Sequence, residues 1–188
     1  MSRDKVILVT QNEHKIEELT QIFEEFDVPF ETTDIRKYEI RSNSVGNVCL
    51  EAAIQAFKAL QRPIVVDDTG LYIEHLNDFP GAYAAYVLET IGLEGIIRLM
   101  KGATDRDARF DTGVGFANGR VSRYFIGTMF GEIAEAPAGK EGFGYDPIFI
   151  PENESRTYAE LSLNEKVRIS HRSQAFRKFL EWYVEQNW

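Results

Sequence analysis

The stretch Ile64-Val65-Val66-Asp67-Asp68-Thr69-Gly70-Leu71 decides how the chain is organised. An apolar, β-branched run is cut off by two adjacent carboxylates, then a hydroxyl, then glycine. Such a run between turn formers reads as a short buried strand that ends at the acids. In open α/β sheets ligands bind at that end of the strands. Neighbouring side chains on a strand point to opposite faces, so Asp67 and Asp68 cannot both face one ligand directly. One could bind a metal while the other braces the loop. The plain alternative is a solvated turn, because Asp and Gly are ordinary turn residues.

On the N-terminal side, residues 5–10 (KVILVT) read as a first buried strand, and residues 11–15 as a polar turn. Ile16, Leu19, Ile22, Phe23 and Phe26 then keep the spacing of one helical face, with Asn12 as N-cap. A strand leading into a helix N-terminus makes an anion site from backbone N–H groups and the helix dipole. Lys15, in the first turn, opposes that dipole unless an anion lies between them; the alternative is a surface lysine. No G-x-x-x-x-G-K-[ST] loop is present, which excludes a Walker site. Residues 28–35 read as another strand. Glu39 follows, either a cleft carboxylate or a solvated loop acid. Residues 44–60 form the clearest helix, with Val45, Val48, Cys49, Ala52, Ala53, Ala56, Phe57 and Leu60 on one face. Cys49 reads as a core residue rather than a nucleophile.

On the C-terminal side, residues 71–73 read as a short strand beyond Gly70, residues 79–83 (FPGAY) as a turn and residues 93–100 as a helix with Gly102 past its end. Residues 109–117 and 120–130 flank Asn118-Gly119, which predicts a hairpin with a type I′ turn. In residues 139–147 (GKEGFGYDP) glycines alternate with aromatics before an acid and a proline. Glycine lets backbone approach a ligand, and an aromatic such as Phe143 can stack on a flat ring. Asp146 could accept from a ring N–H; the alternative is a structural turn. Residues 148–150 read as a last strand. A C-terminal helix follows Ser170 as N-cap, with Phe176, Phe179, Leu180 and Tyr183 on its face. His171 and Arg172 then lie in a first turn that disfavours cations unless an anion or a base edge meets them, and Lys166 lies just before. Singly, each reads as a surface cation.

The chain has 188 residues with 44% hydrophobic content, no internal repeat and no linker-like tract, which suits one domain over 1–188. A net charge of −9 excludes broad binding to nucleic-acid polymers, yet leaves room for a small phosphorylated ligand held by local cations and a metal. One cysteine excludes an internal disulfide framework and fits the reducing cytoplasm. The first residues read as neither a signal peptide nor a membrane span. Three elements therefore suit a phosphorylated ligand: residues 10–15, Asp67-Asp68-Thr69, and Lys166 with His171 and Arg172. A fourth, residues 143–146, suits a heterocycle. Carboxylates opposite a triphosphate make sense through a divalent cation, and Mg²⁺ takes one or two carboxylates plus phosphate oxygens. Together these imply a Mg²⁺-dependent nucleotide enzyme.

Thr10-x-Asn12-x-x-Lys15, Asp67-Asp68-Thr69-Gly70-Leu71, Phe79-Pro80-Gly81-x-Tyr83, Gly142-Phe143-Gly144-Tyr145-Asp146-Pro147 and Glu165-Lys166 followed by Ser170-His171-Arg172 occur in this order. In that order they resemble the inosine triphosphate pyrophosphatase (Ham1-like) family, the house-cleaning enzymes for non-standard purine nucleoside triphosphates. The resemblance covers nearly the whole chain. It implies an α/β fold with an elongated mixed sheet flanked by helices, two lobes with an active cleft between them, and a homodimer. It further implies that Thr10, Gln11, Asn12 and Lys15 hold phosphates, and that Glu39 and Asp68 bind Mg²⁺, with Asp68 also generating the nucleophile. Thr69 would touch the nucleotide. Phe143 would stack on the base, with Gly144, Tyr145, Asp146, Lys166, His171 and Arg172 around base and phosphates. Lys15 and Lys166 would stabilise the leaving pyrophosphate. The chain departs from many members at Val167, where they carry Asn. It departs from some at Ala84-Ala85, where a basic residue follows the Pro-Gly-x-Tyr turn, and near Val48, where they carry Lys.

The implied reaction hydrolyses ITP, dITP or XTP between the α- and β-phosphates, giving monophosphate and pyrophosphate. Two other readings stand beside it: a Maf-like nucleotide pyrophosphatase and a nucleotide-binding sensor without turnover. Maf-like chains open with a Ser- and Arg-rich turn after the first strand, which residues 11–15 do not match.

Overall fold

The computed structural model describes residues 5–38 and 40–186. Among the described residues the fold is α/β: seven strands in one mixed sheet, with five α-helices. The strands are β1 (Val6–Val9), β2 (Phe30–Thr33), β3 (Ile64–Ile73), β4 (Phe79–Gly81), β5 (Asp107–Ala117), β6 (Ser122–Ile133) and β7 (Phe149–Pro151). The helices are α1 (Glu13–Glu25), α2 (Val45–Leu60), α3 (Ala84–Leu99), α4 (Leu163–Ile169) and α5 (His171–Val184). The strand order is β2-β1-β3-β5-β6-β7, with β4 paired to β3. β1 runs parallel to both of its neighbours, β2 and β3. The chain thus leaves β1 on one side and returns on the other, which makes the β1–β3 boundary a topological switch point.

The chain divides into two compact units. The first takes in residues up to Asp68, Thr112–Gly127 and everything from Arg172 onward; the second holds Thr69–Asp111 and Thr128–His171. In the first unit, strand alternation sends Ile7, Val9, Ile64 and Val66 towards Ala52, Ala53 and Ala56 of α2. An aromatic cluster packs elsewhere in that unit: Phe23 of α1 lies 5.9 Å from Phe176 of α5, and Phe116 of β5 lies 5.5 Å from Phe179. The second unit has its own core, built from Leu71, Ile73, Ile96, Phe110, Phe149 and Tyr158 among others.

Several expectations need correction. β3 does not end at the acids: it runs ten residues, because Leu71–Ile73 pair antiparallel with Phe79–Gly81 and carry the strand through Asp67-Asp68-Thr69-Gly70. The solvated-turn alternative therefore falls, and FPG is a short strand rather than a turn. The helix expected over 93–100 begins at Ala84, and a left-handed Gly92 (φ 66°) kinks it and breaks the periodicity. The hairpin forms, but only Gly119 has positive φ, so the turn is not type I′. Asn118 instead accepts from the N–H groups of Arg120 and Val121. The last strand shifts to 149–151 because Asp146–Ile148 form a 3₁₀ turn. Ser170 closes an additional helix, α4, which opens on a Ser162–Glu165 capping box.

Helix α2 lies against β5 because Gly113 and Gly115 carry no side chains there. A Cβ on Gly115 would stand 2.3 Å from the Cys49 carbonyl oxygen, and one on Gly113 would stand 2.8 Å from that of Val45. Gly115→Ala should therefore destabilise the protein by about 1–3 kcal/mol. The loss would be read as a lower urea midpoint at unchanged m, and an unchanged midpoint would rule out the close helix–strand contact.

Candidate active site

The first unit gathers charge at the β1–β3 switch point. β1 is followed by Thr10, whose Oγ1 accepts from the Asn12 N–H (3.2 Å). Asn12 caps α1 as expected: its Oδ1 accepts from His14 N (3.0 Å) and Lys15 N (3.3 Å). Thr10 and Gln11 line an open pocket of about 640 Å³ with Thr32, Thr33 and Asp34. Lys15, one turn into α1, sends its Nζ to Asp67 Oδ2 at 2.7 Å. Arg172, at the start of α5, reaches the same oxygen with Nε (3.4 Å) and donates Nη1 to Glu18 Oε2 (2.6 Å).

These groups are deeply buried: Asp67 is 2% exposed, Glu18 2% and Arg172 3%. Burial alone would raise the Asp67 carboxyl. Lys15 and Arg172 overcome it and hold the group down to about 2, so it is ionised. Burial, with repulsion from Arg172 and Lys37, pulls the Lys15 ammonium downward against the attraction of Asp67. Asp67 Oδ1 is buried and has no hydrogen-bond partner among the described residues. Alternation puts Asp68 on the other face of β3, where its Oδ1 accepts from Lys37 Nζ at 2.7 Å. Glu39 lies outside the described residues.

The second unit holds the aromatic loop. Gly142 and Gly144 are left-handed (φ 70° and 66°), and a Cβ on Gly142 would collide with Asp146 Oδ2 at 2.1 Å. That oxygen accepts from Phe143 N (2.7 Å) and from Lys166 Nζ (2.6 Å), both inside the unit. The Lys166 ammonium also stands 4.9 Å from the Phe143 ring centre, a cation–π distance. His171 stacks on Phe110 at 4.6 Å and 24°. Tyr145 is buried, with its hydroxyl on Ala84 O (2.8 Å), and burial raises its pKa. Thr69 is half-buried on β3. Lys166, His171 and Arg172 are each 3% exposed, so none is the surface cation of the plain alternative.

The structure thus brings together Lys15, Asp67 and Arg172 in one unit, and Phe143, Asp146 and Lys166 in the other. Glu18 and Lys37 were missed from sequence. Glu18 carried a signal, since it lies three residues from Lys15 on the side of α1 that also buries Leu19 and Ile22. Lys37 carried none.

The chain matches the Ham1 family model over residues 6–182. The chain belongs to the Ham1 family. A dITP/XTP pyrophosphatase of Saccharolobus solfataricus is 45% identical to it, over 97% of this chain and 96% of the relative. The enzyme so named in Hyperthermus butylicus is 42% identical over 94% and 93%. Among solved structures, a Ham1 protein of Coxiella burnetii superposes with a TM-score of 0.87 at 28% identity, covering 98% of this chain and all of that one. The Staphylococcus aureus Ham1 protein gives 0.83, also at 28% identity, over 97% of this chain and all of that one. The expected family and the α/β class with a mixed sheet flanked by helices are borne out.

Asp68 fits a divalent cation, because its carboxylate is partly exposed; the unpartnered Asp67 oxygen lies on the other face of β3 and is buried. A different group, Glu74, Asp105 and Asp107, also places carboxylate oxygens within 4.8 Å of one another and could hold a metal, but all three are exposed. Among the described residues no helix is long and apolar enough to cross a membrane.

Two outcomes follow from the buried ion pairs. Glu18→Ala leaves the Arg172 charge short of a partner and should cost about 3 kcal/mol in urea unfolding. Asp67 adds stability that is complete above its ordinary 3.8 and is lost as pH falls through about 2. The stability gap between wild type and Asp67→Asn should therefore close between about pH 4 and pH 2. A gap that stays constant over that window would mean Asp67 is not ionised in the fold.

Proposed function

We propose that the protein is a Mg²⁺-dependent nucleoside triphosphate pyrophosphatase that removes ITP, dITP and XTP from the nucleotide pool, acting as one catalytic domain over residues 1–188. The observation that carries this is the acid pair Asp67-Asp68 beside Lys15 at the switch point, in a chain whose relatives of 42–45% identity are dITP/XTP pyrophosphatases. The α1 N-terminus and the Thr10-Gln11-Asn12 turn offer N–H groups to phosphate oxygens. Lys15 keeps its pair with Asp67 and offers its remaining ammonium donors to the phosphates. Asp68, with Glu39, holds the cation and takes the proton of the attacking water. The water oxygen bonds to the α-phosphorus as the bond from that phosphorus to the bridging oxygen breaks, and pyrophosphate leaves. Mg²⁺ supplies neutralisation of phosphate charge and polarisation of the attacked centre.

Thr69 contacts the nucleotide. Phe143 stacks on the base, while Gly144, Tyr145 and Asp146 shape the loop around it, and Lys166 adds positive charge. Donors of the His171-Arg172 turn meet the 6-keto oxygen of inosine and xanthosine. The amino group of ATP would leave those donors unpaired, and built-in hydrogen bonding of this kind discriminates by about 10⁴. We further assign the protein to the cytoplasm as a homodimer, which sedimentation would test.

The deciding assay is pyrophosphate release from ITP, dITP, XTP, GTP and ATP, with and without Mg²⁺. ITP, dITP and XTP should turn over and ATP should be poorer by about 10⁴; binding of ITP without release of pyrophosphate would leave a sensor. Asp68→Asn should cut kcat at least about a hundredfold in a folded protein. Lys15→Ala should weaken ITP binding far more than inosine binding, because a charge-assisted phosphate contact is lost. Equal losses would take Lys15 off the phosphates.

A further inference from the structure

We propose that Lys37 is the resting-state counter-ion of Asp68, displaced from that carboxylate by the divalent cation and then passed to the substrate phosphates. The inference rests on the metal reading of Asp68 above. The two acids of β3 are neutralised differently. Asp67 is closed in by Lys15 and Arg172, with only 1% of its side chain exposed. Asp68 keeps 17% of its side chain exposed, and its Oδ1 is held by Lys37 Nζ at 2.7 Å, with Lys37 itself 21% exposed. The accessible carboxylate is thus the one whose cation can leave.

The chain context favours exchange as well. Asp68 is fixed in β3, whereas Lys37 lies between β2 and α2, where the described residues of 34–44 form neither helix nor strand. Releasing the ammonium breaks no regular backbone pairing. A divalent ion and an ammonium on one carboxylate repel each other, so the two compete for Asp68. A lysine side chain is long and carries rotatable donors that suit phosphate oxygens once it is released. Lys37 would therefore have opposite effects on two ligands, weakening cation binding to the empty protein and strengthening triphosphate binding to the loaded one.

Mn²⁺ is the probe, followed without nucleotide by the loss of its free electron-spin-resonance signal. Lys37→Met should tighten Mn²⁺ binding by about tenfold and raise KM for ITP, whereas Lys37→Arg, which keeps the charge, should bind Mn²⁺ as wild type does. Near-ultraviolet circular dichroism of each variant confirms the fold. Unchanged or weaker Mn²⁺ binding in folded Lys37→Met overturns the inference; if Asp68→Asn has meanwhile lost the ion, the metal reading survives. If Asp68→Asn binds Mn²⁺ as wild type does, Asp68 is no ligand and both fall.

Discussion

A single buried carboxylate organises the first unit. Asp67 stands on β3, accepts from Lys15 of α1 and Arg172 of α5, and leaves one oxygen without a partner among the described residues. An ion so deeply buried is tolerated only when it is paired with good geometry, and removing one partner costs more than the pair is worth. The three elements must therefore meet at one point, and Glu18 extends the constraint by holding the far side of Arg172.

The second unit repeats the device on a smaller scale. Asp146 Oδ2 takes both the Phe143 N–H and the Lys166 ammonium, and the lysine lies over the Phe143 ring. An aromatic side chain on a glycine-rich loop would otherwise sample many positions. Here one acid pins the loop backbone and one cation occupies a face of the ring, so the loop is pre-organised before a ligand arrives.

Much of this was legible in the sequence. Helices α1 and α2 announced themselves by apolar spacing, and Asn12 and Ser44 cap them through side-chain oxygens. Strand alternation alone placed Asp67 and Asp68 on opposite faces, and each does find a different lysine. What escaped depended on partners distant in the chain. Residues 71–73 read as a short strand, but their continuity with β3 through the polar residues depends on pairing with β4, which no local propensity reports. The first half of α3 was hidden by Gly92, whose left-handed backbone resets the helical phase. The acid partners of Arg172 and Lys166 stayed hidden, because a cation's burial is decided by the acid it meets, and Glu18 and Asp146 lie 154 and 20 residues away from them. Lys37 sits in an irregular segment, where no periodicity exists to be read.

The close seat of α2 on β5 has a consequence for the protein's one thiol. Cys49 is fully buried there, its Sγ 2.9 Å from where a Cβ on Gly113 would stand, and desolvation pushes its pKa far up. A thiol in that state resists alkylation and oxidation, since the thiolate is the reactive form. Its rate of modification therefore measures how often the helix lifts from the sheet, so the natural chain carries its own clock for the opening of the first unit.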